Sequence, residues 1–461
     1  MSAVDSLHEA PGCRVNDPTN RAKLLVDGHR ILPALLADLA EAQREIHVSM
    51  FLFFRDPIGL EVAAVLAERA RAGVEVRVLM NMEKTAMGDP FSTGEKRMMR
   101  HDPNVDYDPL DIGPLCQALT DAGAQVLDTD IDYDRIIRVR DARLASLAAQ
   151  IRDSIDVDVL HVDHRKLVVI DGNVAYVGGA NIGAQYLFHE AFNPDLDARR
   201  EGEARRRAGQ AEPWWKWHDS LTRLEGPVVA RIDEEFHARW LLDGGQEYQR
   251  HPPLERRTRA TEGAGSDALD AAHVFTNSPD GESNAIRELY VRLIGEAETS
   301  IFIENPYLYH PSIVDALCAA KRARPSLSVV LIVPSEEHND NSFAADAQQH
   351  GYARLLAVSI EVYEYQRHFN HLKLAVFDER LAIHGSTNLN FRSLEDDKDF
   401  ELVVLAEGRQ FASRNLREVR DLDLRHARRI TEREVHGWTP RALRIRARNP
   451  WTLLLASRRV L

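Results

Sequence analysis

The sequence lacks the features that mark several large classes of protein. Only three of its 461 residues are cysteines, and Cys13, Cys116 and Cys318 lie far apart. An odd, dispersed set of this kind argues against a disulfide framework and a Cys-based metal site. No apolar run approaches the roughly 18 residues needed to span a bilayer, and the opening MSAVDSLHEAPG is neither basic nor apolar, so we expect no secretory signal. These absences favour a reducing cytoplasm.

A net positive charge is also missing. The chain carries a formal charge of -14 at pH 7, which disfavours nucleic acid as a partner, although an acidic protein can hold a basic groove. In the C-terminal residues 436–461, arginines interleave with Leu, Ile and Trp. This basic amphipathic tail predicts either a helix lying on anionic lipid headgroups or a helix packed on the body with a solvated basic face.

The chain does contain a duplicated motif. Residues 161–181, HVDHRKLVVIDGNVAYVGGAN, recur as residues 368–388, HFNHLKLAVFDERLAIHGSTN. Polar and glycine positions fall at identical offsets in the two copies, namely His164, Lys166, Asp171, Gly178, Gly179 and Asn181 in the first and His371, Lys373, Asp378, Gly385, Ser386 and Asn388 in the second. Two matching sets of this length indicate an internal duplication.

The spacing within each copy predicts a site for phosphate. The runs LVVI and LAVF are typical of buried strands. Because side chains alternate along a strand, His164 and Lys166 should share one face, as should His371 and Lys373. The following strand should deliver an asparagine to the same end. Ammonium and amide groups can hold phosphate oxygens, and a histidine can attack phosphorus or protonate a leaving group.

At this point the sequence resembles a known family. Paired His-x-Lys-x4-Asp motifs followed by Gly-Gly/Ser-x-Asn are typical of the phospholipase D superfamily, and LLVDGHRILPALL, GGANIGAQYL, WHDSLTRLEGPVV and GSTNLNFRSL are similar to its cardiolipin synthase branch. One difference is Asp399, which stands where this branch usually has Asn. The resemblance implies an α/β fold of two homologous α-β-α sandwich halves, related by a pseudo-twofold axis, with a single site between them.

The resemblance also implies roles for the motif residues. His164 would be the nucleophile that forms a phosphohistidine, and His371 the acid that protonates the departing oxygen, although the residues themselves do not order these two roles. The family pattern makes Asp219 the partner of His164 and Glu401 the partner of His371. The phosphate oxygens would be held by Lys166, Lys373, Asn181 and Asn388, with a further hydroxyl from Ser386. Asp171 and Asp378 complete the catalytic motifs but should fix the local fold, and we expect no metal or other cofactor.

Periodicity predicts the same β-α-β unit before each motif. The first half begins with a helix whose apolar face holds Ile31, Leu32, Leu35, Leu36 and Leu39. It continues with the strand Ile46–Phe54, the helix Leu60–Ala72 and the strand Val74–Met80. The second half repeats this with the helix Asn284–Ala297, the strand Ser300–Glu304, the helix Ser312–Ala323 and the strand Leu327–Val333. We therefore divide the chain into a half at 20–242, a linker at 243–270, a half at 271–435 and the tail.

Three segments between these elements carry further expectations. About 48 extra residues precede the first motif within Glu83–Asp158, an acidic region expected to form a solvated loop or cap, or alternatively a metal site or substrate lid. The charged segment Asp195–Pro213 should be a loop near the site. Trp214, Trp215 and Trp217 are expected in a core or pocket wall rather than in a membrane.

Four functions follow from this sequence. The first choice is transfer of a phosphatidyl group between phospholipids, such as phosphatidylglycerol, by a protein bound peripherally to the inner face of the cell membrane. Hydrolysis of phospholipids by the same intermediate, and a metal-independent nuclease, are the enzymatic alternatives. A catalytically dead membrane scaffold is the fourth, and the intact His-Lys pairs disfavour it. The sequence does not fix the oligomeric state.

Overall fold

Two mixed β-sheets with helices make up the described part of the chain. The computed structural model describes residues 14–15, 17–82, 85, 111–129, 162–190, 216–254, 266–277, 284–395 and 399–436. The strands are β1 Arg14–Val15, β2 Arg21–Val26, β3 Glu45–Met50, β4 Glu75–Met80, β5 Gln125–Asp128, β6 Lys166–Ile170, β7 Val174–Gly178, β8 Ser220–Glu225, β9 Asp267–Ala268, β10 Ala271–Asn277, β11 Ser300–Glu304, β12 Ser328–Pro334, β13 Glu361–Tyr365, β14 Leu374–Phe377, β15 Leu381–Gly385, β16 Glu401–Glu407 and β17 Ala427–Arg429.

Helices connect these strands. They are α1 Gly28–Ala40, α2 Pro57–Arg71, α3 Gly113–Asp121, α4 Val228–Leu242, α5 Ala285–Glu296, α6 Pro311–Ala323, α7 Ser342–Leu356, α8 Phe391–Leu394, α9 Arg409–Asn415, α10 Asp421–Asp423 and α11 Glu432–His436. A π-helical turn, Leu416–Arg420, joins α9 to α10, and 3-10 turns lie at Glu336–His338 and Leu424–His426. None of the described helices is long and apolar enough to cross a bilayer.

The two sheets have the same strand order. The first runs β5-β4-β3-β6-β7-β8-β2-β9 and the second runs β13-β12-β11-β14-β15-β16-β10-β1, with β17 added beyond β13. Each sheet also receives a short edge strand from the segment that precedes the other half, because β1 pairs with β10 and β9 pairs with β2. The expected fold of two homologous α/β halves is therefore confirmed, and the exchange of edge strands is itself reciprocal.

The predicted β-α-β units are present in both halves. Strands β3 and β4 are parallel, as are β11 and β12, and each pair is joined by one helix. The helix α2 begins where sequence chemistry favours it, since the Asp56 carboxylate accepts the Gly59 N–H at 2.8 Å and Pro57 occupies the first turn. After the helix, Gly73 turns the chain at a φ of +91°. Helix and strand bounds differ from the expected ones by a few residues.

Strand alternation divides most of the buried hydrophobic residues of the described part into three large cores. Val168 and Ile170 of β6 pack beneath the helices of the first half, and the corresponding face of β14 packs beneath those of the second. The intervening residues, such as Leu167 and Val169, join Leu374 and Val376 of the other half in a shared core. The halves are therefore joined by the inner faces of both sheets, and the amino-terminal ends of β6 and β14 come together at this seam.

The extra residues of the first half enter at two places. Between β4 and β5 the structure describes α3, an ordinary parallel crossover. Most of the excess lies after β5, because residues 129–165 separate β5 from β6 whereas residues 366–373 separate β13 from β14. Much of the acidic insertion, including residues 86–110 and 130–161, lies outside the described residues.

The predicted division into halves and linker remains a prediction. The strand β9 lies inside the range 243–270 and joins the first sheet, and residues 255–265 lie outside the described part. Residues 437–461 of the tail also lie outside it, so the expected amphipathic helix has no counterpart to compare.

Candidate functional site at the seam between the halves

Two short backbone bridges hold the motif histidines at the seam. In one, Asp163 pairs with Phe400, and the His164 N–H donates to the Phe400 carbonyl at 3.0 Å. In the other, His218 pairs with Asn370, and the His371 N–H donates to the His218 carbonyl at 2.8 Å. Each bridge joins the residues before a motif strand to those before the acid-bearing strand of the other half. The two histidines are thus fixed by cross-half contacts.

Each histidine is bonded to a buried carboxylate from the other half. His164 Nδ1 lies 2.9 Å from Glu401 Oε1, and His371 Nδ1 lies 2.7 Å from Asp219 Oδ2. Both carboxylate side chains have 0% exposure, and the rings have 11% and 7%. Because Nδ1 is occupied in both rings, Nε2 is the nitrogen left for chemistry.

The expected partners were therefore wrong, because the pairing crosses the seam. Asp219 was assigned to His164 and Glu401 to His371, but the structure has the reverse. In its own sheet Asp219 precedes β8, which is separated from β6 by β7. Two strand spacings amount to roughly 10 Å, too far for a hydrogen bond within one half. The facing half brings its histidine close enough instead.

The two lysines lie beside the histidines as expected. Lys166 Nζ donates to the His164 carbonyl at 2.5 Å, and Lys373 Nζ donates to the His371 carbonyl at 2.8 Å. Both lysines are buried. One N–H of each ammonium therefore bonds the backbone of its own motif. The remaining N–H groups are the donors that a phosphate would use.

The asparagines and the serine differ in their contacts. Asn181 Oδ1 accepts the Leu52 N–H at 3.0 Å, so its NH₂ group is the remaining donor. Asn388 Oδ1 is buried without a hydrogen-bond partner among the described residues. Ser386 Oγ donates to Glu401 Oε2 and accepts the Leu402 N–H at 3.1 Å. The Ser386 proton is thus donated to the carboxylate, and the phosphate contact expected of this residue stays a prediction.

Asp171 and Asp378 lie at the far ends of the motif strands. The Asp378 carboxylate accepts the backbone N–H groups of Glu298, Thr299 and Ser300 at distances of 2.7 to 3.1 Å. Asp171 receives the equivalent donors from residues 43–45. Both residues have a positive φ, near 50°, which Asp tolerates better than most side chains. Their place in the motif is that of turn residues, and they touch neither histidine.

Comparison with known proteins places this architecture in a family. The family model described as "Cardiolipin synthase, PLD-like domain" matches residues 35–193 and 290–422, which is more than half of the chain and includes both motifs. The chain belongs to this phospholipase D-like family. The recognition made from the duplicated motif is thereby confirmed.

Individual relatives of this family member are distant. Over 398 residues it is 26% identical to the probable cardiolipin synthase YwiE of Bacillus subtilis, covering 85% of this chain and 63% of that protein. The cardiolipin synthase of Listeria innocua is 23% identical over 377 residues, with 81% and 63% covered. The chain thus spans less than two thirds of the length of these relatives. Among solved structures, phosphatidylserine synthase of Haemophilus influenzae matches with a TM-score of 0.63 at 16% identity, covering 100% of this chain and 99% of that one. This likeness shows the shared fold.

Burial gives the two histidine-carboxylate pairs of this family member different protonation. Burial and the nearby Lys166 lower the pKa of His164 to about 4. Burial opposes ionisation of Glu401, but His164, Lys166 and the Ser386 hydroxyl hold its pKa below the usual value. The first pair is thus a neutral imidazole on a carboxylate.

The other pair differs because its carboxyl group keeps a proton more readily. Burial raises the pKa of Asp219 to about 7, although Lys373 opposes the shift. Burial and Lys373 hold the pKa of His371 well below its usual value. Near neutral pH, therefore, the His371 pair holds an additional proton on Asp219 for part of the time, and the His164 pair has no such proton.

Burial also lowers the pKa values of the lysines, to about 7 for Lys166 and about 8 for Lys373. The carboxylates of Glu401 and Asp219 oppose this shift at both lysines. A bound phosphate would favour the ammonium forms for the same electrostatic reason. Binding of an anion here would therefore be coupled to full protonation of the two lysines, even though the whole chain is acidic.

Aromatic rings surround the two histidines unequally. The His371 ring lies 5.0 Å from Trp217, 5.5 Å from Phe369 and 5.9 Å from Tyr186, measured between ring centroids. The His164 ring has Phe51 at 5.1 Å. Trp217 is buried in the core of the first half, as expected, whereas the other three rings were not predicted. Phe369 and Tyr186 lie within the motif stretches quoted above, but their approach to the histidines depends on how the loops fold and was not predicted.

A second buried polar cluster lies behind the His371 pair. His218, Glu304 and Asp423 form a group with metal-ligand composition, whose possible ligand atoms lie within 4.8 Å of one another. However, His218 Nδ1 bonds Asp27 at 2.8 Å and Nε2 bonds Asp423 at 3.0 Å. Burial would lower the pKa of His218, but Asp423 and Asp27 raise it well above the usual value. A ring protonated on both nitrogens offers no lone pair to a metal, so this cluster fits an ion-pair network joining the halves.

Several predicted elements around the site lie outside the described residues. They are the loop Asp195–Pro213 together with Trp214 and Trp215.

Proposed function

We propose that this protein transfers a phosphatidyl group from one phospholipid to the hydroxyl group of another lipid or alcohol. The observation that carries the proposal is the pair of seam contacts, His164 on Glu401 and His371 on Asp219, each between different halves. Two imidazoles held in this way, with a lysine beside each, can flank one phosphorus. The names of the cardiolipin synthase relatives support the lipid substrate.

The different protonation of the two pairs supports His164 as the nucleophile. When Glu401 is ionised it accepts the Nδ1 proton of His164, which places a lone pair on Nε2. In the other pair, a protonated Asp219 donates to Nδ1 of His371, which places the ring proton on Nε2. One ring is then ready to attack and the other ready to protonate, as in-line displacement requires.

The first step forms a phosphohistidine. The Nε2 lone pair of His164 forms a bond to phosphorus, the bond from phosphorus to the headgroup oxygen breaks, and that oxygen takes the Nε2 proton of His371. Lys166 and Lys373 stabilise the charge that develops on the nonbridging oxygens. Asn181 contributes its NH₂ donors to the same oxygens.

The second step reverses these roles with a new alcohol. His371 accepts the acceptor's hydroxyl proton, the alcohol oxygen bonds to phosphorus, and the P–N bond returns its electron pair to His164. Water in place of the alcohol gives phosphatidic acid. We further propose that the protein meets its lipid at the membrane surface as a peripheral protein.

The test uses phosphatidylglycerol vesicles and the full chain. We expect cardiolipin and free glycerol to form in equal amounts in the presence of EDTA, and a base-stable, acid-labile phosphoryl group to be trapped on His164. The variant His164→Ala should form neither product nor adduct. Phosphatidic acid as the sole product would exclude transfer, and normal turnover by His164→Ala would exclude the covalent route.

A further inference from the structure

The two backbone bridges at the seam are supported by different side chains. In the first bridge, Phe400 lies against the guanidinium groups of Arg239 and Arg165, which are 4.1 and 5.5 Å from its ring centroid. His218 holds the same place in the second bridge, since each of these two residues directly precedes an acid that bonds a motif histidine. A guanidinium stays charged, whereas an imidazole can lose its proton. The bridge that holds His371 therefore depends on a group that titrates.

His218 joins both halves through its four polar atoms. Its backbone N–H donates to the Phe369 carbonyl at 3.0 Å, and its carbonyl accepts the His371 N–H at 2.8 Å. In the ring, Nδ1 lies 2.8 Å from Asp27 of the first half and Nε2 lies 3.0 Å from Asp423 of the second half. The ring is buried, with 5% exposure. A movement of this ring would therefore be transmitted to the backbone that holds His371.

Buried acids surround the ring. Glu304 lies with His218 and Asp423 in a group whose side-chain atoms approach within 4.8 Å of one another. Its carboxylate accepts from Asn370, the bridge partner of His218, and Tyr365 stacks on the ring with the centroids 5.3 Å apart. With the two acids that bond it directly, one ring thus faces three buried carboxyl groups. An uncharged ring would leave buried carboxylates without a compensating cation, which is strongly unfavourable.

Asp423 reaches the ring from an irregular helix. The π-helical turn Leu416–Arg420 interrupts the helical segment that follows β16, whereas α4 follows the equivalent strand β8 as one continuous helix. Such turns are rare, and they are frequent at functional sites. The contact between Asp423 and His218 is thus a feature of the second half that the duplication does not explain.

We propose that His218 is a positioning residue, whose charged ring holds His371 and Asp219 in the arrangement that acid and base catalysis requires. Asp27 links the ring to this second acid, because its own N–H donates to the Asp219 carbonyl at 2.8 Å. Without the ring charge the surrounding acids move apart, and the 2.7 Å contact between Asp219 and His371 is displaced. His164 has its own bridge and its own carboxylate, so only the steps that use His371 are affected. This inference rests on the proposed transfer reaction.

The charge of the ring is measured directly by ¹⁵N NMR of histidine-labelled protein. Burial opposes this charge, but Asp423 and Asp27 raise the pKa of His218 well above its usual value. The proton is therefore held through neutral pH and is lost as the pH rises through the higher pKa. We expect both ring nitrogens to carry protons at about pH 7, where an unperturbed histidine is mostly neutral. The resonances are assigned by their loss in His218→Gln, and a neutral ring at this pH would overturn the proposal.

The effect on catalysis is measured with phosphatidyl-p-nitrophenol, whose leaving group departs without help from an acid. The first turnover then needs only His164, whereas later turnover needs His371 as a base. In His218→Gln we expect the first turnover to keep its rate and later turnover to slow about 100-fold, the effect of a misplacement of about 1 Å. The control is His273→Gln, which removes a buried imidazole bonded to Glu407 at 2.6 Å and should keep both rates.

A double variant tests the charge itself. Adding Asp423→Asn to His218→Gln removes one charge of each sign, so later turnover should recover by about tenfold relative to the single variant. A double variant as slow as His218→Gln would overturn the requirement for charge. The amplitude of the first turnover counts the folded sites, so unfolded protein does not affect these rates.

The remaining outcomes separate the positioning role from the reaction. Unchanged later turnover in His218→Gln would overturn the positioning role alone. Equal slowing of first and later turnover would also overturn it, as would the same slowing in His273→Gln, because either result reports general destabilisation. Failure of the wild type to release p-nitrophenol would overturn the transfer reaction itself, and the role of His218 in catalysis with it.

Discussion

The exchange of acids between the halves predicts that two similar substitutions have different kinetic effects. The change Glu401→Gln places an amide NH₂ beside His164 Nδ1, and Asp219→Asn does the same for His371. If the amide donates to Nδ1, the ring proton moves to Nε2. For His164, the proposed nucleophile, this blocks the attacking lone pair. For His371, the proposed acid, it leaves the acid function and impairs the base function needed in the second step.

The size of the effect follows from burial. Both carboxylate side chains are fully buried, and their bonds to the rings measure 2.9 and 2.7 Å. A carboxylate that holds a catalytic histidine in its productive tautomer is worth up to about 10⁴-fold in kcat, which corresponds to about 5–6 kcal/mol. Each affected step should therefore slow by roughly 10²- to 10⁴-fold.

Rapid mixing with phosphatidyl-p-nitrophenol separates the two steps. Its leaving group departs without help from an acid, so the first turnover reports attack by His164 alone. We expect Asp219→Asn to keep a stoichiometric burst of p-nitrophenol and to accumulate the phosphohistidine, whereas Glu401→Gln should lose the burst. A burst kept by Glu401→Gln and lost by Asp219→Asn would refute the order of roles and make His371 the nucleophile.

A matched control lies on the same strand as Glu401. Glu407 accepts from His273 Nε2 at 2.6 Å in a buried pair at the other end of β16. The variant Glu407→Gln therefore removes the same kind of contact away from the seam. It should lower the melting temperature and keep the burst. Loss of the burst here would mean that the effects report folding rather than catalysis.

Three further predictions concern positions around the pairs. In Gly179→Ser the new Cβ would lie 2.3 Å from Asp219 Oδ1, so we expect turnover to fall at least about 100-fold. Turnover by Ser386→Ala should fall only about tenfold. Equal losses of turnover in steady-state assays would contradict this. Asp378→Ala loses several backbone hydrogen bonds and should lower the free energy of unfolding in urea by about 2–4 kcal/mol, with kcat per folded molecule largely kept. Burial raises the pKa of Asp399 to about 7, so the contribution of this residue to the free energy of unfolding falls as pH rises from about 4 to about 7. The melting temperature of Asp399→Asn relative to wild type should therefore increase from pH 5 to pH 8. A constant difference would refute this.

The sequence was sufficient to predict the strands, helices and two-half fold, but not the side-chain contacts between the halves. The motif strands and the β-α-β units could be predicted because apolar runs and helical periods are local properties. The partners of His164 and His371 could not, because strand order within a half says nothing about which end of the other half it faces. For the same reason the contacts of Tyr186 and Phe51 with the histidines could not be predicted, because they form only when the loops of the folded halves come together.

The duplicated fold also suggests how two matching motifs can supply an acid and a base. In the strand register Gly178 lies opposite Leu221 and Gly385 lies opposite Val403, which makes Asp219 and Glu401 equivalent positions.

Three neighbouring pairs of equivalent positions then differ in sequence: Gly179 and Ser386, Trp217 and Asp399, His218 and Phe400. Ser386 gives Glu401 a hydroxyl donor, whereas a side chain at Gly179 would collide with Asp219. The carboxylate with the extra donor ionises more readily, and the other keeps its proton. In the proposed mechanism, symmetry brings two rings to one phosphorus, and these few unequal residues decide which ring attacks.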